Sequence, residues 1–143
     1  MPTARNVSKG AYLLFVTLRD TITVNVGSLG DLTFKEGGYC YAGSAMNGLD
    51  QRIRRHFSKD KKIHWHIDRL TVIADGIEAF VSFAHSECAL ARIAEECGCE
   101  PSFLGFGSSD CGCRTHLFSV DAATKKELLK RSATVPFSQE REG

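Results

Sequence analysis

The chain has 143 residues, which is enough for one domain with a hydrophobic core and too few for two. Its composition, 43% hydrophobic and 24% charged, is that of an ordinary globular protein, which excludes a disordered or fibrous chain. The net charge is only +1, yet the segment from Arg52 to Lys62 (the basic segment) holds six cations and one anion, so it carries +5 and the remainder −4.

The first part of the chain predicts β-strands. Residues 10–18 form a near-continuous apolar run, typical of a strand buried on both faces, and residues 21–26 alternate polar and apolar as a half-exposed strand does. A cluster of turn residues at 27–31 and shorter strands at 32–34 and 39–42 follow. We expect an antiparallel sheet built from adjacent hairpins.

Helical patterns begin near Asn47, which is the expected cap of a helix with an apolar stripe of Leu49, Ile53 and Phe57. The clearest helix spans residues 86–97, with Ser86 as its cap. Its expected core face is Leu90, Ile93, Ala94 and Cys97. The other elements expected after residue 60 are a short helix at 64–70, a strand at 77–83, a glycine- and serine-rich loop at 103–113, a strand at 116–120 and a helix at 124–131.

The chain shows no repeat and no interior linker, so we predict one α/β domain over residues 1–143. Its core covers about residues 10–120, and residues 121–143 form a C-terminal helix and a loose tail after Pro136. The longest apolar run has six residues, far fewer than a membrane-spanning helix needs, and no secretory signal pattern is present. We therefore expect a cytoplasmic protein with no membrane partner and with reduced cysteines.

Two short motifs stand at the ends of predicted strands, Gly10-Ala11-Tyr12 and Tyr41-Ala42-Gly43. A small-residue turn, Gly43-Ser44-Ala45, leads from the second motif into the helix that carries Arg52 and His56, and Glu87 opens a later helix. This order resembles the GIY-YIG nucleases. The pieces YAGSA, RIRRH, HWHID and FGSSDCGC resemble more closely a branch called domain of unknown function 123, over about residues 10–120.

The resemblance implies a small antiparallel sheet flanked by helices, and a divalent-metal-dependent endonuclease. Tyr12 and Tyr41 are 28 residues apart, more than the family usually shows, so an extra hairpin at about residues 21–34 is expected between the two half-motifs. The asparagine that often completes such sites is missing, because no asparagine follows Asn47. Either His116 or Asp110 would take its place, or the catalytic set is incomplete.

The family positions imply a role for each candidate catalytic residue. Glu87 would hold one Mg²⁺ or Mn²⁺ ion, and Arg52 would present its planar fork of donors to the phosphate. Tyr12 would act as the base if the metal, Arg52 or Tyr41 lowered its pKa, and His56 would be a proton relay or an alternative base. Taken singly, each tyrosine is more often a packing residue.

The basic segment would bind the polyanion, although a solvated surface helix has the same charge pattern. The residues expected to contact nucleic acid are Gly43, Ser44, Arg54, Arg55, Lys59, Lys61 and Lys62. DNA is the expected substrate. Relatives of the branch that are fused to endonuclease III-type enzymes suggest a role in DNA repair. A DNA repair glycosylase is the partner that this fusion suggests, RNA is the alternative substrate, and the sequence does not decide the oligomeric state.

Two further clusters have no role in this scheme. His64 and Asp68 are four residues apart on one helical face with His66 turned away, which indicates either support for the site, a metal site, or a packed Trp65 with satisfied histidines. The pairs Cys97-Gly-Cys99 and Cys111-Gly-Cys113 could supply four thiolates to zinc, but their spacing favours reduced structural thiols. The alternatives to a nuclease are thus a non-catalytic nucleic-acid-binding module and a zinc-stabilised interaction domain.

Overall fold

A computed structural model describes residues 9–108 and 111–137 of the chain. Within these ranges the fold is mixed α/β, with antiparallel sheets flanked by four α-helices. The strands are β1 Gly10–Leu18, β2 Ile22–Asn25, β3 Asp31–Phe34, β4 Gly37–Ala45, β5 Gly76–Ser82, β6 Glu100–Pro101, β7 Leu117–Val120 and β8 Val135–Pro136. The helices are α1 Leu49–Phe57, α2 His66–Thr71, α3 Glu87–Glu96 and α4 Ala122–Ser132.

The main sheet has six strands in the order β6-β7-β4-β1-β5-β8. Its centre is β1, which pairs with β4 along its whole length, from Gly10 opposite Ala45 to Leu18 opposite Gly37, and with β5 on its other side. The apolar run at residues 10–18 is confirmed as a strand buried on both faces, because helices cover both sides of the sheet.

The expectation of adjacent hairpins is wrong for β2 and β3. These two strands form a separate two-stranded ribbon outside the main sheet, which confirms the extra hairpin between the two half-motifs. The physical reason is that β2 is largely exposed, so it has too little apolar surface for a central place in a sheet covered on both faces. A short 3-10 turn at Gly27–Leu29 joins the two strands.

Side chains that alternate along β1 and β4 divide the core into two layers. Leu14 and Tyr41 face the layer that packs against α1, α2 and the ribbon, with Ile53 and Phe34 at its centre. The opposite layer packs Leu13 and Phe15 of β1 against α3 and α4, through Leu90 and Leu128. The two half-motifs therefore lie side by side at one end of the central strand pair.

Several helix boundaries differ from those expected. Gly48, at φ 63°, occupies the cap position of α1, and no side chain caps that helix, so Asn47 is not the cap. Ser86 is confirmed as the cap of α3, because its hydroxyl accepts a hydrogen bond from the Ala89 N–H. The buried face of α3 consists of Leu90, Ala91 and Ala94, whereas Ile93 and Cys97 are only partly buried.

Two elements that sequence patterns did not predict are the edge strands β6 and β8, of two residues each. Phe137, directly after β8, is buried, and residues 138–143 of the expected loose tail lie outside the described residues. Among the helices that the structure describes, none has the length and apolar character needed to cross a membrane.

Candidate functional site

The two half-motifs meet through Tyr12 of β1 and Gly43 of β4, which face each other in the strand pair. A Cβ atom on residue 43 would lie 2.6 Å from the Cζ and hydroxyl atoms of Tyr12. Glycine is therefore required here to make room for the phenol ring. The immediate neighbour of this glycine is thus a tyrosine side chain.

Tyr12 is hydrogen-bonded to His56, the second-to-last residue of α1. The Tyr12 hydroxyl and the His56 Nε2 are 2.6 Å apart, and the two side chains are 2% and 1% exposed. The other ring nitrogen of His56, Nδ1, is buried and finds no hydrogen-bond partner among the described residues. The pair is thus a hydrogen-bonded unit that is almost closed to bulk water.

This burial controls the protonation of the pair. Burial, with a further contribution from Tyr41, raises the pKa of Tyr12 well above its usual value, and Arg52 offsets only part of that rise. Burial also lowers the pKa of His56 to about 3, with Lys61 acting in the same direction. The expectations that Tyr41 would lower the pKa of Tyr12 and that His56 would titrate near neutrality are therefore wrong for the protein by itself.

Arg52 is held by two contacts. Its Nη1 donates to the Ser44 carbonyl at 2.9 Å, and its guanidinium carbon lies 4.3 Å from the ring centroid of Trp65. Arg55 lies over the same indole ring, at 4.6 Å. A guanidinium that stacks on an aromatic face keeps its in-plane donors available, so Arg52 is oriented for a further acceptor.

Glu87, the first residue of α3, has a partner on each carboxylate oxygen. The Ser44 hydroxyl donates to Oε1, and the His116 Nδ1 lies 3.0 Å from Oε2. The 3.0 Å separation keeps these two groups in contact, although the His116 ring is not aligned for a straight hydrogen bond. The contact with His116 is the main cause that lowers the pKa of Glu87, which is therefore ionised at neutral pH.

These groups line one cleft of about 190 Å³. Its walls include all five residues expected to be catalytic, namely Tyr12, Tyr41, Arg52, His56 and Glu87. Gly43, Ser44, Trp65, Ile67 and Gly107 complete the lining. Five positions between residues 12 and 87 thus converge because β1 and β4 pair in register and because Arg52 of α1 and Glu87 of α3 both contact Ser44 near the end of β4.

The basic segment is less free than its charge suggests. Lys59 donates to the carbonyls of Thr71 and Ala74, and the Lys61 side chain is only 5% exposed, with its Nζ donating to the Thr71 hydroxyl. These cations therefore connect α1 to α2. Lys62 is exposed, whereas Arg54 is partly buried, 3.9 Å from the Asp50 carboxylate.

The residues of the cluster at 64–68 contact residues that line the cleft. Asp68 is fully buried and accepts from the backbone N–H groups of His64 and Trp65, as well as from Arg55 at 2.8 Å. His66 Nδ1 accepts from the Gly107 N–H, and the exposed His64 packs its ring on Trp65. These contacts agree with a packed Trp65 and with support for the cleft better than with a metal site. Asp110, the other residue expected to support the site, lies outside the described residues.

The residues that match a known family include all those that line the cleft. Residues 11–136 match the family described as Domain of unknown function DUF123. The chain belongs to this family. No curated protein and no solved structure matches the chain. The function of this DUF123 chain therefore has to be argued from its own residues.

A second group of side chains in the DUF123 chain, three cysteines and one histidine, lies next to Glu87. Cys88, Cys111, Cys113 and His116 (the Cys/His cluster) place their ligand atoms within 4.8 Å of one another. The four cysteines considered as an alternative zinc set share only Cys111 and Cys113 with this group, because Cys97 and Cys99 lie outside it and Cys99 is buried in the core. Sequence spacing had drawn attention to the two C-x-C pairs and missed Cys88, which follows Glu87 directly in α3.

Proposed function

We propose that this DUF123 protein is a divalent-metal-dependent endonuclease that hydrolyses phosphodiester bonds in DNA, with a role in repair. One observation carries the proposal: an ionised carboxylate, an oriented arginine and a buried tyrosine–histidine pair line the same cleft. Hydrolysis of a phosphodiester needs charge stabilisation at the phosphate and a group that handles the proton of the attacking water, and these are the functions that the side chains offer.

The donor set around Glu87 fits a hydrated Mg²⁺ or Mn²⁺ ion. Such ions keep several waters and are held by one or two carboxylates together with substrate phosphates. Glu87 is ionised and 31% exposed, and each of its oxygens retains a lone pair beyond those used by Ser44 and His116. Bound there, the ion would supply charge stabilisation and would acidify a coordinated water.

The remaining groups act on the substrate and on its proton. Arg52 donates to the Ser44 carbonyl through Nη1, so the other N–H groups of its guanidinium would bind phosphate oxygens in a bidentate manner. Because His56 is neutral, its Nε2 would accept a hydrogen bond from the Tyr12 hydroxyl, which leaves the phenol oxygen to accept a hydrogen bond from a water in the cleft. Tyr12 would thus orient the water as the first step of proton removal.

A second candidate is a nucleic-acid-binding module that does not cut. The high pKa of Tyr12 and the low pKa of His56 favour it, since neither group by itself is a base matched to neutral pH. Three cations of the basic segment, Arg55, Lys59 and Lys61, hold α1 against its surroundings, so binding in this case would rest on Arg52 and the exposed Lys62.

The test is a cleavage assay on duplex, single-stranded, nicked, flapped and abasic DNA and on RNA, with and without Mn²⁺. Glu87→Gln and Arg52→Ala are compared with Arg131→Ala, an arginine on α4 that does not line the cleft. We expect metal-dependent cutting that the first two substitutions abolish and the third retains. Cutting that persists in Glu87→Gln and Arg52→Ala would refute this site, and salt-sensitive binding without cutting would favour the second candidate.

A further inference from the structure

The Cys/His cluster has the dimensions of a tetrahedral metal site. The Nε2 atom of His116 lies 3.4 Å from the Cys111 Sγ and 3.8 Å from the Cys88 Sγ. A zinc ion bound at about 2.3 Å to sulfur and about 2.0–2.1 Å to nitrogen would hold S and N about 3.6 Å apart at tetrahedral angles. The observed separations lie on either side of that value, so an ion would need little movement of the side chains.

The four donors come from separate parts of the chain that the fold brings together. Cys88 is in the first turn of α3, Cys111 and Cys113 are in the loop after β6, and His116 directly precedes β7. The His116 ring is 1% exposed, so its nitrogen is presented to the thiols from the protein interior. An ion at this point would tie the loop to both elements, and because the site forms only in the folded chain, the binding free energy would stabilise the fold.

The donor types select the metal. Three thiolates and one imidazole are soft to intermediate ligands, which zinc binds and Mg²⁺ does not. Four protein ligands also fill a tetrahedron and leave no position open for substrate, which is the arrangement of structural zinc sites. Arg92 lines the same surface depression as Cys88 and Cys113, and its charge would offset the net negative charge of a zinc ion with three thiolates.

We propose that Cys88, Cys111, Cys113 and His116 bind one structural Zn²⁺ ion, and that His116 connects this ion to Glu87. The two nitrogens of the His116 ring have different neighbours: Nε2 faces the thiols, and Nδ1 lies 3.0 Å from the Glu87 carboxylate, where a small rotation of the ring would straighten the hydrogen bond. A histidine that ligates a metal commonly donates its other N–H to a carboxylate, which fixes both side chains. Glu87 is then a positioning residue for the zinc ligand, whatever reaction the cleft carries out.

The first experiment measures metal in the purified wild-type protein, independently of any cleavage. Elemental analysis is expected to find one zinc per chain, and X-ray absorption is expected to find three sulfur ligands at about 2.3 Å and one nitrogen at about 2.0–2.1 Å. Protein without zinc after expression with added zinc and reconstitution under reducing conditions would overturn the proposal. So would a ligand shell with two sulfurs or four.

Variants and thiol labelling then identify the ligands. Cys88→Ser is expected to lose zinc, whereas Cys97→Ser, a partly buried cysteine outside the cluster, is expected to keep it. Should Cys88→Ser fail to fold, alkylation of the wild-type protein gives the same information, because zinc would protect Cys88, Cys111 and Cys113 while Cys97 reacts with or without the ion. Zinc that is retained in folded Cys88→Ser, or protection of Cys97, would refute the assignment.

The link to Glu87 has its own test. Loss of a carboxylate that supports a metal-ligating histidine typically lowers metal affinity about 10–100-fold. Glu87→Gln is therefore expected to keep one zinc per chain but to release it to a competing chelator at a correspondingly lower chelator concentration. Ser86→Ala, which changes the neighbouring helix cap, is the matched control for a general effect on α3. Equal zinc affinity in Glu87→Gln and wild type would overturn the link and leave the zinc site itself standing.

Discussion

The phenol ring of Tyr12 fills the space that a side chain at Gly43 would need, across the paired strands β1 and β4. The two half-motifs are therefore complementary parts of one packing unit: the tyrosine of the first requires the glycine of the second. Gly107 has the same relation to Tyr41, since a Cβ there would lie 2.7 Å from the Cε1 atom of that tyrosine. Both tyrosines that face the cleft are thus held in place by a glycine on a neighbouring segment.

This relation predicts the effect of Gly43→Ala. The added methyl group must displace the Tyr12 ring and its bond to His56, so we expect a loss of about 1–3 kcal/mol in the free energy of unfolding. Gly76→Ala is the control, because its methyl group would make an ordinary contact at 3.7 Å with Thr17. Urea unfolding followed by circular dichroism measures both. Equal stability of the two variants would contradict the packing argument.

Asp68→Asn tests the contact between α1 and α2. The substitution removes the charge of a fully buried carboxylate and leaves Arg55 and Lys61 without their counter-charge, so we expect a loss of about 3 kcal/mol. The matched control is Asp50→Asn on the surface of α1, whose 3.9 Å pair with Arg54 should contribute at most about 0.5 kcal/mol. Chemical unfolding measures the free energy of unfolding of both variants. A small loss in Asp68→Asn would show that the ion pair is dispensable.

The protonation of His56 predicts an acid limit to stability. The folded protein lowers the pKa of this ring to about 3, whereas an unfolded histidine has a pKa of about 6.5, so protons bind the unfolded chain preferentially. The free energy of unfolding should be unaffected by His56 above about pH 6.5 and should fall with decreasing pH from there to about pH 3, by at most about 1.4 kcal/mol per pH unit. His56→Gln should remove that part of the slope.

Nuclear magnetic resonance gives a direct reading of the same group. The ring protons of His56 should show no titration between about pH 5 and 8, the range in which an ordinary histidine titrates. A midpoint near neutrality would mean that the ring is more hydrated than the structure shows, and it would restore His56 as a candidate base.

Trp65 provides a probe of the cleft, because it is the single tryptophan of the chain and two guanidinium groups lie against it. Binding of a phosphate-containing oligonucleotide to Arg52 is expected to change the Trp65 fluorescence, and Arg52→Ala should remove that response while Arg131→Ala on α4 keeps it. Trp65→Leu should lower nucleic-acid affinity about twofold to thirtyfold, because a cation–π contact contributes about 0.5–2 kcal/mol. Unchanged affinity would mean that stacking does not orient Arg52.

Sequence patterns predicted the elements well where burial alone determines them. The run at residues 10–18 became β1 without any change of boundary, because a strand covered on both faces must be apolar at every position. The strand order was not predictable in the same way, because nothing in the pattern of β1 says that β5, and not β2, lies beside it. Pairing depends on the helices that fill each face, and those contacts are distant in sequence.

The candidate site shows the same division. The motifs identified the residues of the cleft, since their order along the chain follows the order of the elements that carry them. Lys59 and Lys61 are taken up by hydrogen bonds to backbone carbonyls and a hydroxyl near the end of α2. No side-chain pattern in the sequence reveals these acceptors. Cys88 was missed because its partners are more than 20 residues away and approach only when the loop folds back toward α3.

The edge strands of the main sheet are poorly suited to pairing with a strand of another molecule. Both edge strands of the main sheet contain only two residues, and each includes a proline, Pro101 in β6 and Pro136 in β8. Proline lacks the N–H that a further strand would require, and such short strands offer few groups to a neighbouring molecule. Addition of a further strand at β6 and β8 is thus disfavoured, and with it the aggregation that would begin at these two edge strands.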